Sequence, residues 1–378
     1  AAAQELCRYA TERGVRILPG IAINAYGGVV WELDHEYNLA TWLRKHPELT
    51  AQMEHDPGFQ INDLAFPLFF PRGDYSMRGC SSRPENQKWM DEAVAWLCET
   101  FEVGGVNIEA GDYGVCGCPL CAARRAERED ASRRHGYAES WSHADMADYY
   151  PRLFEIIRTR RPDAWVYSEI QWDNLLDTEA QAPLIGLPED GIYQHTLNRG
   201  YWERVRQEMT AGYAATLPTK NNVFRTQFNC QWNGDYRTER YRLNARDIAA
   251  QAQKAAEVGF VGQTMWGEPA AYHPTVDLSY RAFARFNWEP ELTWAQFVAE
   301  DAGPLFGGPE AAERFVALTE TFDANPNLRG GDLKAMRSEA VSMATGTSGE
   351  ASDRWIWLAE QIGRRQYDRM TKPESSPW

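Results

Sequence analysis

One local pattern recurs along the chain and restricts its fold more than any other feature. A helical stripe of apolar residues ends at a glycine, and a short continuous apolar run follows. In AAAQELCRYATERGVRILPGI the stripe stops at Gly14 and the run covers Val15 to Ile21. Trp89, Met90, Ala93, Val94 and Leu97 line one helical face, Gly104 and Gly105 end it, and Val106 to Ile108 reads as a strand. Ser82, with Glu85 three residues on, predicts a capping box at the start of that helix. Tyr150, Leu153, Phe154 and Ile157 precede the run Trp165 to Ile170, while Ile248, Ala252, Ala255 and Ala256 lead through Gly259 to Phe260–Met265. Gly191 to His195 and Val223 to Phe228 bring the count to about six strands. Continuous apolar strands alternating with helices predict a parallel sheet whose faces are covered.

No GxGxxG follows any of these strands and no GxxxxGK[ST] occurs, which argues against a nucleotide-binding doubly wound sheet. The expected fold class is therefore α/β: a (β/α)8 TIM-type barrel lacking its first two strands in this chain, with a C-terminal helical extension. Residues 1–288 form the expected barrel domain and 289–378 the helical region. Within the barrel, 22–87 is an elaborated loop after the first visible strand, with a helix near Leu39 to Gln52 that His46 helps to end. Ser342 to Asp353 (SMATGTSGEASD) is small and polar and reads as a mobile loop.

Charge then narrows the partners. With 39 Lys plus Arg against 54 Asp plus Glu, the formal net charge of −15 repels phosphate backbones and anionic lipid surfaces. No apolar run approaches the ~20 residues that a membrane helix needs, so neither nucleic acid nor a membrane span is expected. The chain opens at Ala1 without a Met or a signal-like segment and reads as a fragment or processed chain with its N-terminal part missing. It is expected to be soluble, cytoplasmic or secreted, with its oligomeric state open. The 15 Trp, beside 17 Tyr and 15 Phe, have two uses open to them: an aromatic core, or flat platforms for sugar rings.

Barrels of this kind place their chemistry where strands end. Those positions supply Asn24 and Tyr26, then Glu109 and Asp112, then Glu169, Trp172 and Asp173. Further along stand His195, Thr196 and Asn198, then Asn229, Trp232 and Asp235, and finally Trp266 and Glu268. Acids and amides hydrogen-bond hydroxyls while indole faces accept the apolar side of a pyranose, so this lining suits a polyhydroxylated substrate. Glu109 and Asp112 are close enough for one to be kept protonated as general acid while the other stays ionised, and Glu268 in MWGEP is the opposing carboxylate. These three are the candidate catalytic residues, and the spacing of Glu109 and Glu268 would decide retention or inversion. Candidate substrate contacts are Asn24, Tyr26, Glu169, Trp172, His195, Asn229, Trp232 and Trp266. Competing readings are a solvated loop for Glu109–Asp112, a satisfied core-edge imidazole for His195, and plain packing for the Trp residues.

Of the seven cysteines, Cys116, Cys118 and Cys121 crowd into CGCPLC, and Cys80 lies in the preceding long loop. Together they are candidate ligands of a structural four-thiolate zinc site, while a disulfide plus a free thiol fits the spacing equally well. Four thiolates leave no open coordination position, which argues against a catalytic zinc there; the expectation is a possible structural zinc and no cofactor required for catalysis.

Three segments carry a resemblance: ELCRYATERGVRILPGI; CSSRPENQKWMDEAVAWL followed by GVNIEAGDYGVCGCPLC; and VDLSYRAFARFNWEPELTWAQFVAEDAGPLFG. They resemble carbohydrate-active TIM barrels, especially the DUF4838 group, glycoside hydrolase family 163. More distantly they are similar to hexosaminidases of family 20 and α-glucuronidases of family 67. The resemblance implies a glycosidase acting on an oligosaccharide or glycan, with the acid at the end of the fourth strand falling on Glu109 or Asp112. No contiguous Asp-Glu pair stands at that strand end, which argues against the substrate-assisted chemistry of hexosaminidases. The leading expectation is a glycoside hydrolase using carboxylate general acid/base chemistry. The alternatives are a non-catalytic glycan-binding barrel, or a barrel isomerase or lyase with a metal on Glu109, Glu169, Asp235 or His195.

Overall fold

A computed structural model describes residues 2–32, 34–52, 77–109, 116–126, 143–170, 175–176, 184–197, 201–226, 242–266 and 273–371. The chain forms two compact units, Ala1–Thr196 with Gln207–Val223, and Leu197–Arg206 with Phe224–Trp378. No helix among the described residues is long and apolar enough to cross a membrane.

The first unit runs through α1 (Ala2–Thr11), β1 (Gly20–Ala22), α2 (Leu39–Lys45), α3 (Pro84–Thr100), β2 (Gly105–Glu109), α4 (Pro119–Ala126), α5 (His143–Arg160), β3 (Trp165–Ile170) and β4 (Ile192–Leu197). β1 to β4 pair in parallel, with Ile21 opposite Ile108, Val106 opposite Val166, and Ser168 opposite Tyr193. Paired residues share a side and successive residues alternate, so the register sorts every side chain onto one of two faces. Ile21, Val106, Ile108, Val166 and Tyr193 point one way and pack with the apolar stripes of α3 and α5 in a single core. Trp89, Met90, Ala93, Val94 and Leu97 of α3 are all buried there, as the helical spacing requires. Ala22, Asn107, Glu109, Tyr167, Glu169 and Gln194 point the other way.

Two local expectations need correction. The run Val15 to Ile21 is not one strand: β1 begins only at Gly20, and Val15 is exposed. The Ile17 and Pro19 carbonyls do accept from the Gly104 and Asn107 N–H groups, each at 2.9 Å, but Pro19 has no N–H to return. Ser82 does not cap α3, whose N-cap is Arg83 with Pro84 at the first helical position. The Ser82 hydroxyl is engaged elsewhere, 3.0 Å from the Cys121 sulfur and accepting from Arg124 Nε.

After α6 (Tyr201–Glu208), β5 (Asn221–Thr226) starts in the first unit and ends in the second. α7 (Ala245–Val258) then closes at Gly259, whose φ of 86° permits the left-handed cap, and β6 (Gly262–Met265) follows. The strands stand in chain order from β1 to β6, and no pairing of β6 with β1 is present among the described residues. Among the described residues the sheet is therefore not closed: of the expected barrel lacking its first two strands, the structure shows six strands in chain order in one sheet.

In the second unit, α8 (Pro274–Trp288), α9 (Trp294–Phe297), a π-helical turn (Val298–Ala302), α10 (Gly303–Phe306), α11 (Pro309–Ala324), α12 (Gly330–Gly346) and α13 (Glu350–Thr371) share a core with α7. Trp355 sits at its centre, edge-on to Phe315, with its indole N–H donating to the Phe306 carbonyl at 3.1 Å. The segment Ser342 to Asp353 is not a loop. α12 continues to Gly346 and α13 starts at Glu350, because small residues such as Ala344 let the two helices pack closely.

Gly104 and Gly105, read as a helix stop, do not end α3, which closes at Thr100 with Phe101 as its C-cap; Gly105 opens β2, where its duty is steric. A Cβ there would lie 2.1 Å from the Trp165 carbonyl oxygen on the neighbouring strand. Gly105→Ala is expected to destabilise the first unit by about 1–3 kcal/mol, seen as a lower urea midpoint at unchanged helical content.

Candidate functional site

The face opposite the α3/α5 layer carries polar groups where strands end. Glu109 closes β2, and its carbonyl accepts from Ile23 N–H at 2.9 Å, so the ladder with the chain after β1 extends past Ala22. Glu169, one residue from the end of β3 and only 5% exposed, lies in register with Gln194 of β4. From the level of Glu169, Gln194 Nε2 donates to Asn107 Oδ1, two residues before Glu109, so polar side chains of β2 and β4 meet across β3 on this face. The sequence reading missed Asn107 and Gln194: alternation in GVNIE and in IYQHTL holds their signal, but both stand below the strand ends.

Beside Glu109 the face turns aromatic. Ala22, its register partner, clusters with Ala25, Tyr26 and Trp31. The Tyr26 and Trp31 rings stack 5.6 Å apart at 12°. Tyr26 has φ 52°, a left-handed conformation that costs a side chain with a Cβ about 1–2 kcal/mol. The turn is held because Ala22 N–H donates to Gly28 O and Gly28 N–H to Ala25 O, at 3.1 and 3.2 Å. Gly28 itself has φ 71°, and a Cβ there would meet the Trp89 ring at 2.9 Å. Asn24 enters this turn with its Nδ2 donating to Ser81 Oγ at 3.1 Å and to Asp145 at 3.4 Å. Trp31 is a site residue that the sequence reading missed, since it lies beyond the strand end.

Cys80, Cys116, Cys118 and Cys121 come together and are buried, their sulfurs all within 4.8 Å of one another. The Cys80 sulfur is 3.6 Å from that of Cys118 and 3.5 Å from that of Cys121. A disulfide needs about 2.05 Å. Four thiolates on zinc at about 2.3 Å stand about 3.8 Å apart along each tetrahedral edge, so the donor set fits a structural metal. Gln52 N–H donates to Cys116 Sγ at 3.3 Å, a contact that favours a thiolate. Hydrogen bonds from the Cys116 and Cys80 thiols hold Cys121 well below the usual thiol range.

His195 is fully buried and follows Tyr193 on the helix-covered side of the sheet, away from Glu109 and Glu169. Its Nε2–H donates to Asn222 Oδ1 at 2.8 Å, and the Thr219 hydroxyl donates to the same oxygen at 2.6 Å. Burial lowers its pKa to about 4, opposed by the bond to Asn222. In the second unit, Trp266 lies at the end of β6 with the Arg225 guanidinium 4.2 Å over its ring. Asp112, Trp172, Asn229, Trp232 and Glu268 lie outside the described residues, as do Asp173, Asn198 and Asp235.

No family model and no curated protein matches the chain. Among solved structures, it is similar to the PgaB (BpsB) glycoside hydrolase domain from Bordetella bronchiseptica, with a TM-score of 0.46 and 13% identity over 72% of this chain and 77% of that one. It is also similar to α-L-fucosidase isoenzyme 2 from Paenibacillus thiaminolyticus, with a TM-score of 0.44 and 15% identity over 75% of this chain and 39% of that one. A glycoside hydrolase family 20 β-N-acetylglucosaminidase gives 0.42 and 11% identity, over 82% of this chain and 59% of that one. None of these scores reaches 0.5, so the likeness assigns neither family nor activity.

The four-cysteine geometry predicts about one zinc per chain by elemental analysis of protein purified without chelator, lost in Cys118→Ser and kept in Glu109→Gln. The His195 environment predicts a pH effect. The folded chain keeps this imidazole neutral, whereas the unfolded chain protonates it near pH 6.5, so its contribution to stability is complete above about 6.5 and is lost as the pH falls to about 4. The loss amounts to about 3 kcal/mol, and urea midpoints of His195→Gln should lack that part of the acid sensitivity.

Proposed function

We propose that the chain is a glycoside hydrolase acting at the sheet face that carries Glu109 and Glu169. One observation carries this reading: two carboxylates at the ends of adjacent parallel strands share a face with the stacked Tyr26–Trp31 pair. Cleaving a glycosidic bond needs an acid to protonate the departing oxygen and a second carboxylate to attack or to activate water. Glu109 takes the role of general acid, with Asp112 as its orienting partner and Glu268 as second carboxylate. Glu169, buried at the end of the adjacent strand on the same face, is a rival for the second role. Trp31, half-buried and backed by the buried Tyr26 ring, offers a ring face to the sugar, and Tyr26, Asn24, Asn229, Trp172, Trp232 and Trp266 complete the proposed contacts. The partner is a carbohydrate, and the metal is a structural element.

A metal-dependent isomerase is disfavoured by position, because His195 stands on the covered side and brings no imidazole to Glu109 and Glu169. A glycan-binding protein without hydrolysis would share the same lining, so turnover separates the two. On a panel of nitrophenyl glycosides, Glu109→Gln is expected to lower kcat by about 10²- to 10⁴-fold while leaving sugar binding by calorimetry within about twofold. Full activity in Glu109→Gln would remove it as the acid, and binding without turnover in the parent chain would favour the non-catalytic reading.

A further inference from the structure

The four-cysteine centre stands beside the turn after β1, and the residues around Cys80 connect the two. Gly79, just before this cysteine, donates its N–H to the Asn24 carbonyl at 3.0 Å. Ser81, just after it, receives the Asn24 amide on its hydroxyl at 3.1 Å. Main chain and side chain of Asn24 are thus both held by the two neighbours of one cysteine.

A second path closes the loop. Arg124 follows Cys121 by one helical turn, donates through Nε to Ser82 Oγ at 3.1 Å and through Nη1 to Asp148 at 2.8 Å, and pairs with Asp145. The Asp145 carboxylate is buried and also accepts from Ser81 Oγ at 2.9 Å and from Asn24 Nδ2 at 3.4 Å. Burial opposes the Arg124 charge, but Asp145 and Asp148 hold its pKa above the ordinary value. Residues 79–82 lie outside the helices and named strands: Gly79 bridges Thr50, Cys80 N–H donates to Leu49 O at 2.9 Å, the Cys80 and Ser81 carbonyls accept from Asn86 and Gln87, and the cysteine adds a further anchor. Thiols are weak hydrogen-bond partners, and four of them together hold such a segment far less firmly than they would around a cation.

We propose that the metal-loaded cysteine centre is a positioning device for the proposed sugar face, and that Asp145 is the positioning residue through which it holds Asn24 and the left-handed turn at Tyr26. The proposal rests on the functional reading only in calling that turn part of the sugar face. Amide exchange measures the coupling whether or not a glycoside is cleaved, so a failure of one is distinct from a failure of the other.

The experiment uses the full chain loaded with zinc and compares it with chelator-treated protein, Ser81→Ala and Asp145→Ala, reading zinc content and hydrogen exchange together. Zinc removal is expected to speed exchange of residues 22–28 and 79–82 by about tenfold, with α3 and β2 unchanged. Both variants are expected to keep their zinc while residues 22–28 alone exchange faster, which a general loss of structure does not produce. Unchanged exchange at 22–28 after zinc removal overturns the coupling. Zinc-loaded variants with parent-like exchange at 22–28 overturn the role of Asp145. Should Asp145→Ala show fast exchange throughout α3 and β2, Ser81→Ala decides, since it removes only one hydroxyl.

Discussion

The parallel register of β1 to β4 is the constraint from which the rest of the first unit follows. With Ile21, Ile108, Ser168 and Tyr193 on one side, helices α3 and α5 have an apolar surface to cover, and burying it supplies the main stabilising term. The same alternation sends Asn107, Glu109, Tyr167, Glu169 and Gln194 the other way without any further instruction. A slip of one residue at β2 would bury Glu109 under α3 and expose Ile108, so packing on one face fixes the chemistry available on the other.

Where sequence and structure agree, each element rests on a periodicity that burial enforces. The stripes of α3, α5 and α7, the glycine ends of α1 and α7, and the strands from β2 to β6 are all readable, because amphipathic spacing and strand–helix alternation are local signals. The cysteine cluster is readable as a metal candidate, but spacing does not tell thiolates around an ion from a disulfide. The sulfur separations of 3.5 and 3.6 Å are longer than a disulfide bond and match the spacing of thiolates that could hold a metal. What the sequence hides depends on tertiary partners. Ser82 matches a capping box in sequence, yet Pro84 sets the start of α3 and the hydroxyl turns to Cys121 and Arg124. SMATGTSGEASD has the composition of a loop, yet its small residues suit the close contact of α12 and α13. Trp31 carries no periodic signal, because its place comes from a turn that folds back onto β1.

The two special features of the first unit belong together. A left-handed Tyr26 and a buried Arg124–Asp145 pair each cost free energy in isolation. They sit at the two ends of one path through Asn24, Ser81 and Asp145, and Cys80 precedes Ser81 in the chain. A metal held by the four cysteines would supply binding energy on folding that offsets such costs.

The most direct test of the central claim is a crystal structure of the zinc-loaded Glu109→Gln chain soaked with a mixture of common monosaccharides and oligosaccharides. The expected result is a sugar ring against the Tyr26–Trp31 pair, within hydrogen-bond reach of Glu169 and of the amide that the substitution places at position 109. A ring bound only elsewhere, with the Glu169 face filled by protein side chains, would contradict it.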